Sequence, residues 1–268
     1  MEQFDELVRV MAQLRAPEGC PWDAEQTHQS LRPYLLEETY EAVEAIDDED
    51  WSRLRDELGD VLLQVVFHAQ LAAERGEFTI EDVAAGIVEK LYRRHPHVFG
   101  DAKVADSAEV LKRWEELKHE EEGYTDRESA LDGVPRAMPA VPRALKIQSR
   151  ASKVGFDWQD ESGPRAKVHE EITELEQASE EEVEAEFGDV LFALVNLARF
   201  LKVDPESALR GANARFERRF RAMEQAAGGR AGLAQMSLQE MDELWEQAKS
   251  STSAKAGGDK TGENSEER

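Results

Sequence analysis

The chain has 268 residues, 40% of them hydrophobic and 34% charged, with a formal net charge of −25. That is enough for one or two domains with a sizeable core, and the acidic surface argues against nucleic acid or an anionic membrane as partner. One cysteine excludes a disulfide framework, and no run nears the ~18 apolar residues of a membrane span; with no leader in MEQFDELVRV, the expected location is cytoplasmic.

The predicted elements are all helices, because Gly (17) and Pro (9) are few and clustered. Residues 4–14 have helical spacing, and APEGCPWD breaks into a loop. A second helix spans Ser30 to Ile46, with Pro33 in its first turn, where a missing N–H is tolerated. A third covers Trp51 to Arg75, and a fourth opens around Thr79, runs to Arg94 and stops at Pro96. Another begins near Asp106, with Glu109 three residues on, and ends at Gly123. Residues 123–143, with three prolines and little periodicity, read as a linker between domains 1–122 and 144–249. A helix around Arg143–Lys153, a loop KVGFDWQDESG and a helix from Pro164 through Ala178 follow. Ser179 with Glu182 forms a capping box for the next helix, and Asp204-Pro205 opens another. Ser237 with Glu240 opens the last, to about Lys249, and residues 250–268 have the composition of a disordered tail.

An ordered repeat is the informative feature. LLEETYEAVEAI, ELGDVLLQVVFHAQLA and EKLYRRH recur as VHEEITELEQA, EFGDVLFALVNLARFL and ARFERRF. Asp60 matches Asp189 at an offset of 129 (189 − 60), and Glu38 matches Glu171 at 133 (171 − 38). Two units are too few for a solenoid, so a duplicated helical-bundle domain is the simpler account.

Residues three or four apart share a helix face. Glu171 therefore projects with Glu174, and Glu186 with Asp189; the first copy repeats this as Glu38 with Glu41 and Glu57 with Asp60. After Gly188 the helix is apolar almost all round, which predicts burial in a bundle and carries Asp189 into it. Buried carboxylates are costly unless paired, hydrogen-bonded or bound to a cation. One or two divalent cations would relieve four of them, and an all-oxygen ligand set suits Mg²⁺ or Mn²⁺ rather than zinc. A single E-x-x-E in so acidic a chain is ordinary solvated surface. Two acidic pairs in order, repeated with the glycine kept, are not. Glycine within a helix costs ~1 kcal/mol relative to alanine, so Gly59 and Gly188 predict a neighbouring backbone or ion that needs the space.

Arg215, Arg218 and Arg219 crowd one helix, and Lys90, Arg93 and Arg94 stand at the matching place in the first copy. Such triplets suit a polyphosphate, or else helical ion pairs with Glu217 or Glu89. Lys167 precedes Glu171 by four residues, the weaker order for a helical pair, which favours a phosphate partner. Trp245 is either core or a surface on which a nucleobase stacks. His95 and His97 flank a proline and read as structural, and Cys20 as a packed thiol. A non-catalytic helical regulator that binds nucleotides or a protein partner is the competing class.

Glu170-Glu171-Ile172-Thr173-Glu174 followed by Glu186-Phe187-Gly188-Asp189 makes EExxE and ExxD. With GCPWDAEQTH, LLEETYEAVEAI, RRHPHVFGD, RALKIQSRASKVGFDW and NARFERRF, the series resembles the MazG family of nucleoside triphosphate pyrophosphohydrolases over roughly residues 1–249. The resemblance implies a tandem all-α homodimer that hydrolyses nucleoside triphosphates, ribo or deoxy, to the monophosphate and pyrophosphate with Mg²⁺, for nucleotide-pool control. It implies that Glu171, Glu174, Glu186 and Asp189 bind metal; Glu38, Glu41, Glu57 and Asp60 keep the same positions in the first copy. Lys167, Arg215 and Arg219 match positions that contact phosphates, and Trp245 one near the nucleotide. The family assigns catalysis to the C-terminal copy and assembly or regulation to the N-terminal one. Where relatives carry polar or basic residues just before ExxD, this chain has Glu182, Val183, Glu184 and Ala185. Attack of water on the α-phosphorus needs a proton acceptor, for which Glu170 or Glu171 is the candidate.

Overall fold

The computed structural model describes residues 2–104, 106, 109, 110, 113 and 128–258. Among the described residues all regular structure is helical, and the chain divides into two compact units, Met1–Asp126 and Arg127–Arg268.

The first unit contains α1 (Glu2–Leu14), α2 (Pro21–Glu25), α3 (His28–Asp47), α4 (Trp51–Glu74), α5 (Ile80–Arg94) and α6 (Pro96–Phe99). Helices α3 and α4 lie side by side, with α1 and α5 against α4. Met11, Leu31, Val66, Phe67 and Leu71 are buried together where they meet. Caps set the helix starts. The Thr27 hydroxyl accepts from the Ser30 N–H and the Ser30 hydroxyl from the Thr27 N–H, so α3 begins at His28 rather than Ser30. Pro33 consequently lies beyond the first turn expected for it. Thr79 and Asp82 form a similar box for α5, and Asp50 caps α4. The expected APEGCPWD loop is partly helical, because Pro21 opens α2 with Cys20 at the N-cap. Arg15 ties this connection down: it bonds both carboxylate oxygens of Glu74 at 2.8 Å and donates to the Asp23 carbonyl. Helix α5 ends before Pro96 as expected. Farther on, Asp106 accepts from the Glu109 N–H at 2.9 Å, the predicted cap; most of the helix expected to run to Gly123 lies outside the described residues.

The second unit contains α7 (Ala140–Lys153), α8 (Ser162–Gln177), α9 (Val183–Phe200), α10 (Pro205–Ala226), α11 (Arg230–Leu233) and α12 (Leu238–Gly258). Helices α8 and α9 pair as α3 and α4 do; α7 packs on α9 and α10, and α12 on α10. Val168, Val190, Ala193, Val195, Met223 and Leu233 are buried. Helix α7 starts at Ala140, so the end of the expected 123–143 linker is helical, with Pro142 in the first turn; residues 123–127 lie outside the described residues. Helix α8 starts at Ser162, ahead of Pro164. The Ser179–Glu182 box is half made. Glu182 accepts from the Ser179 N–H and hydroxyl, but its own N–H goes to the Ser179 carbonyl, and α9 begins at Val183. The Asp204 and Ser237 caps form as expected. Helix α12 runs on to Gly258, where a disordered tail was expected from residue 250, because Ala254, Lys255 and Ala256 favour helix and no Gly or Pro intervenes until Gly257. Residues 259–268 lie outside the described residues. No described helix is long and apolar enough to cross a membrane.

The largest correction concerns α9. Its apolar run is covered on one side only: Val190, Ala193 and Val195 are buried, but Phe187, Leu191 and Leu194 remain exposed, and so does Asp189. The helix is apolar on two faces, and its packing within the unit covers one. Leu58, Leu62 and Val65 are exposed in the same way on α4.

Candidate active site

Glu171 and Glu174 stand one turn apart on α8, and Glu186 lies in the first turn of α9, beside them. Each offers an oxygen within 4.8 Å of the others. Glu171 is buried at 6% exposure, Glu186 is half-buried and Glu174 exposed. Desolvation, then the charge of Glu171, holds the Glu174 carboxyl above its ordinary pKa. In the first unit Glu38, Glu41 and Glu57 meet the same way, all half-buried. Glu38 is pushed up by desolvation and then by Asp60, and Glu41 chiefly by Glu57. Clustered carboxylates that resist ionising together, with oxygen as the only donor atom, fit a hard divalent cation. Three of each expected four converge. Asp60 and Asp189 lie outside these groups.

Lys167 bonds Glu170 at 2.7 Å and Glu171 at 2.6 Å, and those two hydrogen bonds raise its pKa. The weaker sequence order forms the pair nonetheless. Glu170 is exposed and belongs to this ion pair, not to the group of three. Arg219 lies 6.0 Å from the Trp245 ring, and Trp245 also packs on Phe216 at 5.2 Å. The Arg219 Nε is buried with no hydrogen-bond partner, whereas Arg215 is exposed. Glu217 pairs with Arg221 at 3.5 Å, while Glu89 takes Arg93 at 3.6 Å.

A pocket of about 400 Å³ opens beside the second carboxylate group, with Lys167, Glu171 and Asp189 in its wall. Arg215, Arg219 and Trp245 do not line it. Helix α7 contributes Ile147 and Gln148, the following loop Phe156, Asp157 and Trp158, and α9 Phe192 and Asn196. Sequence reasoning assigned these residues no role, although five of them lie in RALKIQSRASKVGFDW, a helix followed directly by an aromatic loop. Arg199 holds this loop against α9. It bonds the two Asp157 oxygens at 2.7 and 2.5 Å and the Asn196 Oδ1 at 3.0 and 2.8 Å, and it keeps the Asp157 carboxyl below its ordinary pKa.

Other expectations resolve simply. A Cβ at Gly59 or Gly188 would meet nothing within 4 Å, and neither glycine has a positive φ, so no neighbouring backbone explains their retention. The His95 Nδ1 lies 2.8 Å from the Leu91 carbonyl, and its ring stands 5.7 Å from that of His97. Cys20 is a free, half-buried thiol. A histidine pair escaped the sequence altogether: the His28 and His68 rings stack at 5.1 Å with their Nδ1 atoms 2.8 Å apart.

The family model of the MazG nucleotide pyrophosphohydrolase domain matches residues 26–99, which hold Glu38, Glu41, Glu57 and Asp60. A Thermotoga maritima protein, named nucleoside triphosphate pyrophosphohydrolase/pyrophosphatase MazG, is 51% identical over 96% of this chain and 97% of its own. The chain belongs to the MazG family. A second relative, the Escherichia coli K12 nucleoside triphosphate pyrophosphohydrolase, is 49% identical over 93% of this chain and 98% of its own. The MazG-like region also occurs within longer chains: the uncharacterised Bacillus subtilis protein YabN is 51% identical over 92% of this chain but only 52% of its own length.

Proposed function

We propose that the chain hydrolyses nucleoside triphosphates, ribo or deoxy, to the monophosphate and pyrophosphate at the Glu171–Glu174–Glu186 group. The observation that carries this reading is the convergence of those carboxylates beside Lys167 and a ligand-sized pocket. Its context supports it, since the Thermotoga and Escherichia relatives, matched along nearly their whole length, are named for that reaction.

Glu171, Glu174 and Glu186 would hold Mg²⁺, or Mn²⁺ in its place, with Asp189 at the edge of the group. A cation held by these residues would screen the triphosphate from the carboxylates and lower the pKa of water. Lys167 already lies between Glu170 and Glu171, and an ammonium has three donors, so an arriving phosphate can take one. Loosening that pair frees Glu170 to accept the proton of the attacking water. Glu171, the other candidate base, is committed to the cation-holding group. Arg219, with its buried unpartnered Nε, and Arg215 take up charge on the leaving pyrophosphate, with Trp245 beside Arg219.

Phe187, Leu191 and Leu194 on α9, and Leu58, Leu62 and Val65 on α4, form exposed apolar stripes at helical spacing. Such exposed apolar stripes are surface that a second copy would cover in a homodimer. The first unit, with its own carboxylates, serves assembly or regulation, and nucleotide-pool control in the cytoplasm is the setting that fits. A panel of NTPs and dNTPs with Mg²⁺, with products resolved, tests the reading: monophosphate plus pyrophosphate is expected. Glu171→Gln should abolish turnover with an unchanged circular dichroism spectrum. Release of diphosphate and orthophosphate overturns the assignment, and the absence of turnover on every nucleotide favours a nucleotide-binding regulator.

A further inference from the structure

We infer that Arg53 braces α3 to α4 at their acidic ends, and that between α8 and α9 only a bound divalent cation supplies the equivalent tie. Metal therefore orders the acidic ends of the second unit and leaves those of the first almost unchanged. This rests on the metal-holding reading above and adds to it a conformational role for the ion.

Two polar ties cross from α3 to α4. Near the carboxylates, Arg53 on α4 bonds Glu44 of α3 at 2.5 Å and reaches Asp48, the C-cap of α3, at 4.0 Å. The same guanidinium holds Glu57 of its own helix at 3.2 Å. At the other end of the pair, the His28 and His68 Nδ1 atoms meet at 2.8 Å. A lone exposed ion pair contributes little, but one guanidinium shared by three carboxylates is a network, and it keeps its charge at any working pH.

No such tie joins α8 to α9. Among the described residues, no side-chain hydrogen bond or ion pair runs between these two helices. Lys167 bonds Glu170 and Glu171 of its own helix, and Arg199 turns from α9 to Asp157 in the loop. The positions matching Arg53 and Glu44 are Glu182 (53 + 129) and Gln177 (44 + 133), and those matching His28 and His68 are Glu161 (28 + 133) and Leu197 (68 + 129).

The electrostatic demand is nevertheless the same in both units. Glu171 and Glu174 on α8 meet Glu186 on α9 with oxygens within 4.8 Å, as Glu38 and Glu41 on α3 meet Glu57 on α4. Like charges at that distance push the paired helices apart. Arg53 opposes this across the α3–α4 junction. Across α8–α9 the opposing charge has to be brought in, and an ion shared by carboxylates of both helices stabilises only the state in which they converge.

The test is amide hydrogen exchange, read by mass spectrometry on the full chain in Mg²⁺ and in EDTA. At free Mg²⁺ about tenfold above its dissociation constant, peptides across residues 168–190 should exchange about tenfold more slowly, and those across 38–60 less than about twofold. Arg53→Gln should quicken exchange across 38–60 several-fold in EDTA and let Mg²⁺ slow it again. Glu44→Gln, which removes only the partner on α3, should act in the same direction, and it decides alone if Arg53→Gln does not fold. Equal slowing in both units of the wild-type chain, or no change across 38–60 in either variant, overturns the brace and leaves the hydrolase reading intact. Slowing in neither unit while NTPs are cleaved in Mg²⁺ does the same. A chain whose exchange ignores Mg²⁺ and that cleaves no NTP overturns both.

Discussion

The two units gather the same three carboxylates and give them different counter-charges. In the second unit Lys167 bonds Glu171 and Glu170, and its charge also reaches Glu174. In the first, the position matching Lys167 is Tyr34 (167 − 133), packed edge-on against Trp22 at 6.0 Å. There the cation comes from the other helix. Arg53 bonds Glu57 at 3.2 Å and Glu44 at 2.5 Å. Its own match in the second unit is Glu182 (53 + 129), which caps the turn before α9 through Ser179. The same set of carboxylates thus stands in two electrostatic settings. A cation bound in either unit would compete with such a counter-charge, Arg53 for Glu57 and Lys167 for Glu171, but only Lys167 also lines a pocket from which a phosphate could draw it.

This difference breaks outright if Glu57 and Glu186 prove equivalent. Glu186→Gln keeps the volume and removes one carboxylate charge. Pyrophosphate release is expected to fall by more than the ~10–100-fold typical of changes outside the first ligand shell. Glu57→Gln should change it less than about twofold. Equal losses mean two working sites.

A graft sharpens the electrostatic explanation. Glu182→Arg places a guanidinium four residues before Glu186, as Arg53 stands before Glu57. Turnover should drop several-fold and need more Mg²⁺ for half-maximal rate. An unchanged Mg²⁺ titration removes the counter-charge from the argument.

The histidine pair distinguishes the units in another way, since Glu161 (28 + 133) and Leu197 (68 + 129) occupy the matching places. Burial, then the charge of His28, holds His68 below its ordinary pKa of 6.5. The folded chain therefore binds fewer protons there than the unfolded one. Stability from this group is complete above about pH 6.5, falls as the pH drops from there to the lower folded pKa, and then levels off. Thermal midpoints measured across that window should show the slope, and His68→Leu should flatten it. A wild-type midpoint flat with pH contradicts this.

The smallest effect comes from the shared glycines. With open space around both, Gly59→Ala and Gly188→Ala should each stabilise the chain by ~0.5–1 kcal/mol in chemical denaturation. A loss at one position alone would mean that a second copy or a bound ion uses the space in that unit.

Most helix starts were legible in the sequence because caps are local chemistry. Thr79, Asp204 and Ser237 each reach a backbone N–H three residues on, whatever the rest of the chain does. Pro33 and Ser179 were misplaced where a second local partner, Ser30 or the Ser179 carbonyl, won the competition. The acidic residues were legible as faces. Spacing fixes the angle of a side chain around its own helix axis, and the repeat fixed which faces mattered.

Spacing says nothing about the distance or stagger between two axes. The packing of α8 on α9 therefore decided that Glu171, Glu174 and Glu186 converge while Asp189 turns to the pocket. It left the second face of α9 exposed, and the separate pairing of α3 with α4 brought His28 to His68 across 40 residues. Gln148 and Trp158 drew no notice in the sequence for the same reason: only the fold brings an amide and an indole into one pocket wall.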